Sequence, residues 1–277
     1  MLKYLFLLGI SLISHMSAGE NVDTLELLDA EDYASAKHFF ADFEINGPIL
    51  YSMLENKSQG KVFTDNKMHP SFMLACSPAG YVFLGGKPDH DSLKKIALYL
   101  KTLPHVSLVS PLDWRLKDFF LREGFTAVDR IQFQRDASSF DLNKIPYSIK
   151  RIDKEIFSRC NWYSFILSNY GDSERFFSNG IGFCLMDQGK ILSESYGLIA
   201  DDKAEIGVVT DANYRGQNLG TSVCEVMLDY CDKHHIEAFW SCNADHFASI
   251  AIAKKLRFKE DCRYFFLTWV APICYSD

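Results

Sequence analysis

The chain has 277 residues, 48% of them hydrophobic, 23% charged and 14% aromatic, with a formal net charge of −7. That length suits one large domain or two ordinary ones, and the apolar content supplies a core that needs no disulfides. The acidic balance argues against a general nucleic-acid binder, which needs Lys and Arg to neutralise phosphates, but leaves room for a small anionic cofactor held by local donors.

Residues 1–19 read in two ways. Lys3, the apolar run Tyr4–Ile13 and the small residues Ser17 and Gly19 have the pattern of a secretory signal peptide, too short for a membrane span. Alternatively the true start is Met16, which begins "MSAGENVDTLELLD", an ordinary soluble N-terminus. The first reading directs the chain to secretion or the periplasm, the second to the cytoplasm. The eight cysteines show no C-x-x-C or zinc spacing. Cys184, Cys242 and Cys262 fall in expected strands, and Cys224 and Cys231 in an expected helix. Buried reduced thiols are expected there, which favours the cytosol.

Along the chain, Asp32–Leu54 is patterned as helix, interrupted at Asn46, Gly47 and Pro48. "SFMLACSPAGYVFLGG" predicts two strands around a turn. "DSLKKIALYLKTL" predicts an amphipathic helix, "HVSLVSP" a strand, "DWRLKDFFLREGF" a helix closed by Gly124, and "TAVDRIQFQRD" a strand. Residues 137–147 carry a proline and little periodicity, and are assigned as a linker between a first half, 20–136, and a second, 148–277. In the second half, helical stretches run over Lys154–Asn169 and to about Asn179. A hairpin turns at Gln188 and Gly189. The strand "KAEIGVVT", a helix over Asn218–His234, the strand "IEAFWSC", the helix "HFASIAIAKKL" and the strand "RYFFLTWV" follow. Each half reads as hairpin, helix, strand, helix, strand, so two related α/β halves are expected.

The segment "TDANYRGQNLGTS" differs from anything in the first half. A strand runs into Arg215, small polar residues and two glycines, then into a helix. A helix N-terminus presents unpaired N–H groups and partial positive charge, so an anion suits it, and small residues allow close approach. The spacing fits neither Walker A nor a dinucleotide fingerprint.

This segment resembles the pyrophosphate loop of the GNAT superfamily of N-acetyltransferases, R/Q-x-x-G-x-G/A, with Arg215, Gly216, Gln217, Asn218, Leu219 and Gly220 at its positions. The stretch from Lys203 to Phe258 is similar to that superfamily's segment from its fourth strand onward. Its "FWSCN" and "ASIAIAKKLRF" pieces look closest to the branch of zwittermicin A resistance acetyltransferases. The resemblance implies a GNAT fold: a mixed, mostly antiparallel central sheet flanked by helices, with the C-terminal half binding acetyl-CoA. It implies backbone contacts from Val208, Val209 and Thr210 to the pantetheine, and amides from Arg215 to Thr221 around the pyrophosphate. Asn243 or Ser249 would contact the distal arm, although both are also ordinary helix-capping residue types.

Direct acetyl transfer to the primary amine of a small molecule needs a base to deprotonate the amine. By resemblance Glu205, opening the fourth strand, takes that role; a solvated strand-edge carboxylate is the alternative. Glu194 and Ser193 are weaker candidates, pointing to opposite faces. Asp172, Glu174 and Glu194 offer charge to a cationic acceptor, as would any acidic surface. Three positions depart from the family pattern: Asn218 replaces a loop glycine, Ala253 stands where a tyrosine acid often stands, and Arg257 replaces the Gly of a Gly-Phe turn. They support a competing reading, a non-catalytic CoA-binding or interaction protein with a decayed GNAT fold. No metal cluster, nucleic-acid module or membrane partner is expected.

Overall fold

The computed structural model describes residues 25–41, 43–112, 114–135 and 146–272. Residues 1–19 and most of the expected linker therefore lie outside the described residues. In chain order the strands are β1 (Glu26–Leu27), β2 (Lys61–Thr64), β3 (Phe72–Cys76), β4 (Tyr81–Gly86), β5 (His105–Pro111), β6 (Thr126–Gln134), β7 (Ser148–Arg151), β8 (Gly180–Asp187), β9 (Lys190–Ala200), β10 (Lys203–Thr210), β11 (Glu237–Asn243) and β12 (Lys259–Val270). The helices are α1 (Gly47–Leu54), α2 (His90–Lys101), α3 (Lys117–Arg122), α4 (Lys154–Phe157), α5 (Tyr163–Tyr170), α6 (Ser173–Asn179), α7 (Leu219–Lys233) and α8 (Phe247–Lys255), with a 3-10 segment over Ala30–Phe40.

All the strands join one sheet, in the order β1-β2-β3-β4-β5-β12-β6-β11-β10-β9-β8-β7. Only β4–β5 and β10–β11 pair in parallel. The expected mixed, mostly antiparallel sheet with flanking helices is thus present. Its order carries a feature absent from the sequence pattern. The last strand of each half crosses over: β12 pairs with β5 of the first half, and β6 pairs with β11 of the second. Neither half completes its sheet alone.

Local chemistry explains the elements. The β8–β9 hairpin turns through Gln188 and Gly189, both at positive φ (43° and 83°), as a two-residue hairpin turn requires. α7 buries Val223, Met227 and Cys231, one face at helical spacing, against Ala204, Ile206, Ala238 and Trp240. Burying each such side chain contributes roughly 1.5–3 kcal/mol. The opposite face of the sheet is covered by the 3-10 segment, α1 and α4–α6, with Phe40, Leu50, Phe157, Ile166 and Tyr170 in its core. The expected helix over Lys154–Asn169 is two, α4 and α5, separated by the Cys160–Trp162 turn. Seven described cysteines are free and six of them buried. No helix of the described residues is long and apolar enough to cross a membrane.

Candidate functional site

The strands β10 and β11 begin as parallel neighbours. Lys203, Ala204 and Glu205 pair with Glu237, Ala238 and Phe239. Beyond that the strands part, while β10 stays paired with β9 through Thr210 and β11 with β6 through Asn243. A V opens between them, and Gly207, Val208, Val209 and Thr210 along its β10 edge are half-buried.

At the wide end of the V the chain passes through Arg215, Gly216, Gln217 and Asn218, all exposed, into α7. Gly216 has φ 79° and nothing within 4 Å of where a Cβ would stand, so its backbone conformation, not space, calls for glycine. Asn218 also adopts the left-handed conformation, φ 61° and ψ 9°, which Asn tolerates better than most residues. The loop glycine's geometry is therefore kept without the glycine. Arg215 Nε donates to the Thr210 carbonyl at 3.2 Å, and Lys255 Nζ donates to Asn218 Oδ1 at 2.7 Å. Asn218, Thr221, Ser222, Glu225 and Lys255 line a hollow of about 290 Å³ beside the start of α7. The open N–H groups of Leu219, Gly220 and Thr221, with the cations Arg215 and Lys255, can hold a diphosphate. Lys255 was not singled out in the sequence; it lies 37 residues from the loop.

At the narrow end sits Glu205. Its carboxyl is held by Ser241 and faces Arg130 and Asn46. Burial pushes it up to about 7, outweighing the Ser241 and Asn46 hydrogen bonds and the Arg130 charge, which pull it down. The expected alternative, a solvated strand-edge carboxylate, is not what is found: Glu205 Oε2 is buried with no partner among the described residues. Arg130 donates from Nη1 to Asn243 Oδ1 at 2.6 Å and from Nε to Tyr264 Oη at 3.3 Å. Asn46, fully buried, donates its backbone N–H to Gln132 Oε1 at 2.9 Å and its Nδ2 to Ser241 Oγ at 3.1 Å. Trp162 lies over Gly207 and also has a buried ring N–H without a described partner.

The other candidates separate. Asn243 is turned to Arg130, and Ser249 Oγ is 3.0 Å from the Trp240 ring N–H. Neither caps α8, whose N-cap is His246. Glu194 is buried and accepts from the backbone of Asn161 and Trp162, while Ser193 contacts Thr210 Oγ1 and the Val209 carbonyl. They point to opposite faces, as alternation requires. Asp172 caps α6 and Glu174 pairs with Lys154, so these carboxylates are already engaged. Ala253 is buried in the α7–β11 core. Arg257 takes φ 65°, the conformation a glycine would supply. A larger hollow, about 380 Å³, lies among α4, α5 and α6, and Glu205 does not line it. Asn46, Arg130, Ser241 and Tyr264 escaped the sequence reading. The Asn-Gly-Pro break was visible at Asn46; for the others the sole signal was an alternate position on a strand.

Comparison with known proteins agrees with this geometry. The sequence profile described as GNAT acetyltransferase matches residues 37–267. The uncharacterized N-acetyltransferase YdfB of Bacillus subtilis (strain 168) is 28% identical over 257 residues, covering 88% of this chain and 98% of YdfB. A GCN5-related N-acetyltransferase-like protein from Streptococcus suis 89/1591 superposes with a TM-score of 0.68 at 23% identity, over 86% of this chain and 98% of that one. A tandem GNAT protein from the clavulanic acid biosynthesis pathway superposes with a TM-score of 0.60 at 14% identity, over 91% of this chain and 99% of that one. With the parted strands, the loop at α7 and a profile match spanning most of its length, the chain belongs to the GNAT acetyltransferase family and is an N-acetyltransferase of that type.

Proposed function

We propose that the protein transfers an acetyl group from acetyl-CoA directly to the primary amine of a small molecule, at the V between β10 and β11. The observation that carries this is the placement of one buried carboxylate, Glu205, where β10 and β11 part, with a diphosphate-compatible loop at the other end of the same strand. Acetyl-CoA supplies the acetyl group as an activated thioester. Arg215, Lys255 and the amides from Gly216 to Thr221 hold the diphosphate. The β10 backbone at Val208, Val209 and Thr210, which has no strand partner toward β11, offers hydrogen bonds to the pantetheine. Glu205 takes the ammonium proton at Oε2, the oxygen left without a partner, and its affinity near neutrality matches that task. No tyrosine stands at position 253, so the thiolate leaves without a positioned acid there, which its modest basicity allows.

The second half alone holds the cofactor in this reading. In the first half the corresponding parallel pair, β4–β5, also parts after two residue pairs. There the Phe39 carbonyl lies over Gly85, 2.4 Å from where a Cβ would stand, and the Phe39 ring lies over Gly86. Phe39 thus packs on β4 beyond the point where β4 and β5 part, and the segment after β4 has no counterpart of the Arg215–Thr221 loop. The likeness of the "FWSCN" and "ASIAIAKKLRF" pieces to the zwittermicin A resistance branch supports a small-molecule amine as acceptor. The buried free cysteines support a reducing compartment, in keeping with a cytoplasmic site of action. The test is Glu205→Gln assayed against a panel of amines: acetyl-CoA affinity is expected to hold within about threefold, and turnover to fall by roughly 10²–10⁴. Unchanged turnover would reject Glu205 as base and return weight to the decayed-fold reading.

A further inference from the structure

The first half does more than complete the sheet. Asn46 precedes α1 and is carried in the left-handed conformation, φ 52° and ψ 31°. It is fully buried, and its Nδ2 lies 3.1 Å from Ser241 Oγ and 3.5 Å from Glu205 Oε1. This amide orientation directs N–H toward the carboxylate; the flipped one would set oxygen against oxygen. Its consequence is that Asn46 Oδ1 is left buried with no partner among the described residues, and so is Oε2 of the carboxyl that Asn46 faces. Two buried acceptors without donors, on side chains in contact, are costly unless something supplies the hydrogens. Glu205 is the last residue of β10 paired to β11, so the pair stands where the V opens.

We propose that Asn46 Oδ1 and Glu205 Oε2 form a two-acceptor seat for the N–H bonds of the acceptor amine, making the first half part of the acceptor site. The inference rests on the acetyltransferase reading for its purpose, but the seat binds amine whether or not acetyl-CoA is present. Two acceptors call for a group carrying at least two N–H bonds. A primary ammonium has three, a hydroxyl has a single hydrogen, and a tertiary ammonium a single N–H. The seat therefore selects primary amines over alcohols and tertiary amines, and it places the departing proton on the Glu205 side, with Asn46 holding a second N–H.

The test uses the full chain with glutamate labelled at the side-chain carboxyl carbon, the Glu205 signal being assigned by its loss in Glu205→Gln. Ethylammonium is the probe, with trimethylammonium and ethanol as controls. Ethylammonium is expected to move the Glu205 signal saturably, and the controls to move it at least tenfold more weakly. Asn46→Gly keeps the left-handed backbone and removes the oxygen, and is expected to weaken ethylammonium at least tenfold. Binding in Asn46→Gly within twofold of the parent, or no shift of the Glu205 signal by ethylammonium, would overturn the seat and leave a bridging water as the occupant. Should Asn46→Gly fail to fold, the parent protein decides the matter: a Glu205 signal moved equally by ethylammonium and trimethylammonium overturns the seat. Acetyl-CoA titration of the same samples reports separately on the cofactor site, so failure of the seat and failure of the acetyltransferase reading are distinguishable.

Discussion

Glu205 and Phe239 are the last residues paired across β10 and β11, and the strands part beyond them. The narrow end of the V is therefore floored by a carboxylate and an aromatic ring, on the face of the sheet that also presents Ser241, Gln132 and Arg130. Strand alternation accounts for the grouping. Phe239, Ser241 and Asn243 point one way, opposite Gln134, Gln132 and Arg130 on β6, while Trp240 and Cys242 point into the α7 core.

Glu205 ties activity and stability to pH in opposite directions. As base it must be ionised, so kcat/KM for the amine is expected to fall as pH drops below about 7. The folded state holds this proton between the ordinary glutamate value of 4.5 and about 7, where the unfolded chain has lost it. Stability from this group therefore declines as pH rises through that window and is flat above it. Glu205→Gln removes the penalty, and at pH 8 it should raise stability by up to roughly 3 kcal/mol. Denaturant melts of both proteins at pH 5 and pH 8 check this. An equal difference at the two pH values would contradict the burial argument.

Arg130 is expected to hold the same carboxyl down. Arg130→Met, which keeps much of the stem's volume over Phe266, should move the acidic limb of the pH–rate profile upward, since the charge that lowers the Glu205 value is gone. A limb that stays in place would mean Arg130 serves only Tyr264 and Asn243.

Asn218 tests whether the departing loop residue is a defect. Its φ of 61° suits Asn or Gly. Asn218→Gly should keep acetyl-CoA affinity within about threefold, losing only the anchor for Lys255. Asn218→Val, β-branched at positive φ, should lose binding and destabilise the loop by roughly 1–2 kcal/mol. Calorimetry on the two variants reads the difference; equal affinities would show that the conformation does not matter.

Much of this fold was legible in the sequence because its elements are written locally. The turn at Gln188–Gly189, the Gly124 helix end (φ 89°) and the face of α7 follow from two or three residues each. The pyrophosphate-type loop was legible for the same reason, being contiguous. What was not legible is non-local. Nothing in "RYFFLTWV" states that β12 pairs with β5. Nor does "TAVDRIQFQRD" state that β6 lies between β12 and β11. Asn46 meets Glu205 across 159 residues of chain, and its Asn-Gly-Pro context reads as an interruption of a helix. Lys154–Asn169 was merged into one helix because its apolar residues continue through the Cys160–Trp162 turn.

The crossed strands make a further prediction. Residues 148–277 alone lack β6, on which β11 and β12 both depend, and leave an unpaired edge on β11. That fragment is expected to lack a cooperative melt and to aggregate. Co-expression with residues 20–147 should restore the cooperative melt and prevent aggregation. A fragment that unfolds cooperatively would mean the second half closes its own sheet by another pairing.

The most direct measurement of the central claim is calorimetric titration of the full chain with acetyl-CoA, repeated with Arg215→Ala and with Gly216→Val. The expected result is micromolar binding at one site per chain, because the first half carries no counterpart of the Arg215–Thr221 loop. Arg215→Ala should weaken it about tenfold, and Gly216→Val, which forces a branched side chain to φ 79°, should abolish it. Binding unaffected by either change, two sites per chain, or no binding by the folded protein would contradict the assignment of the V and its loop as the acetyl-CoA site.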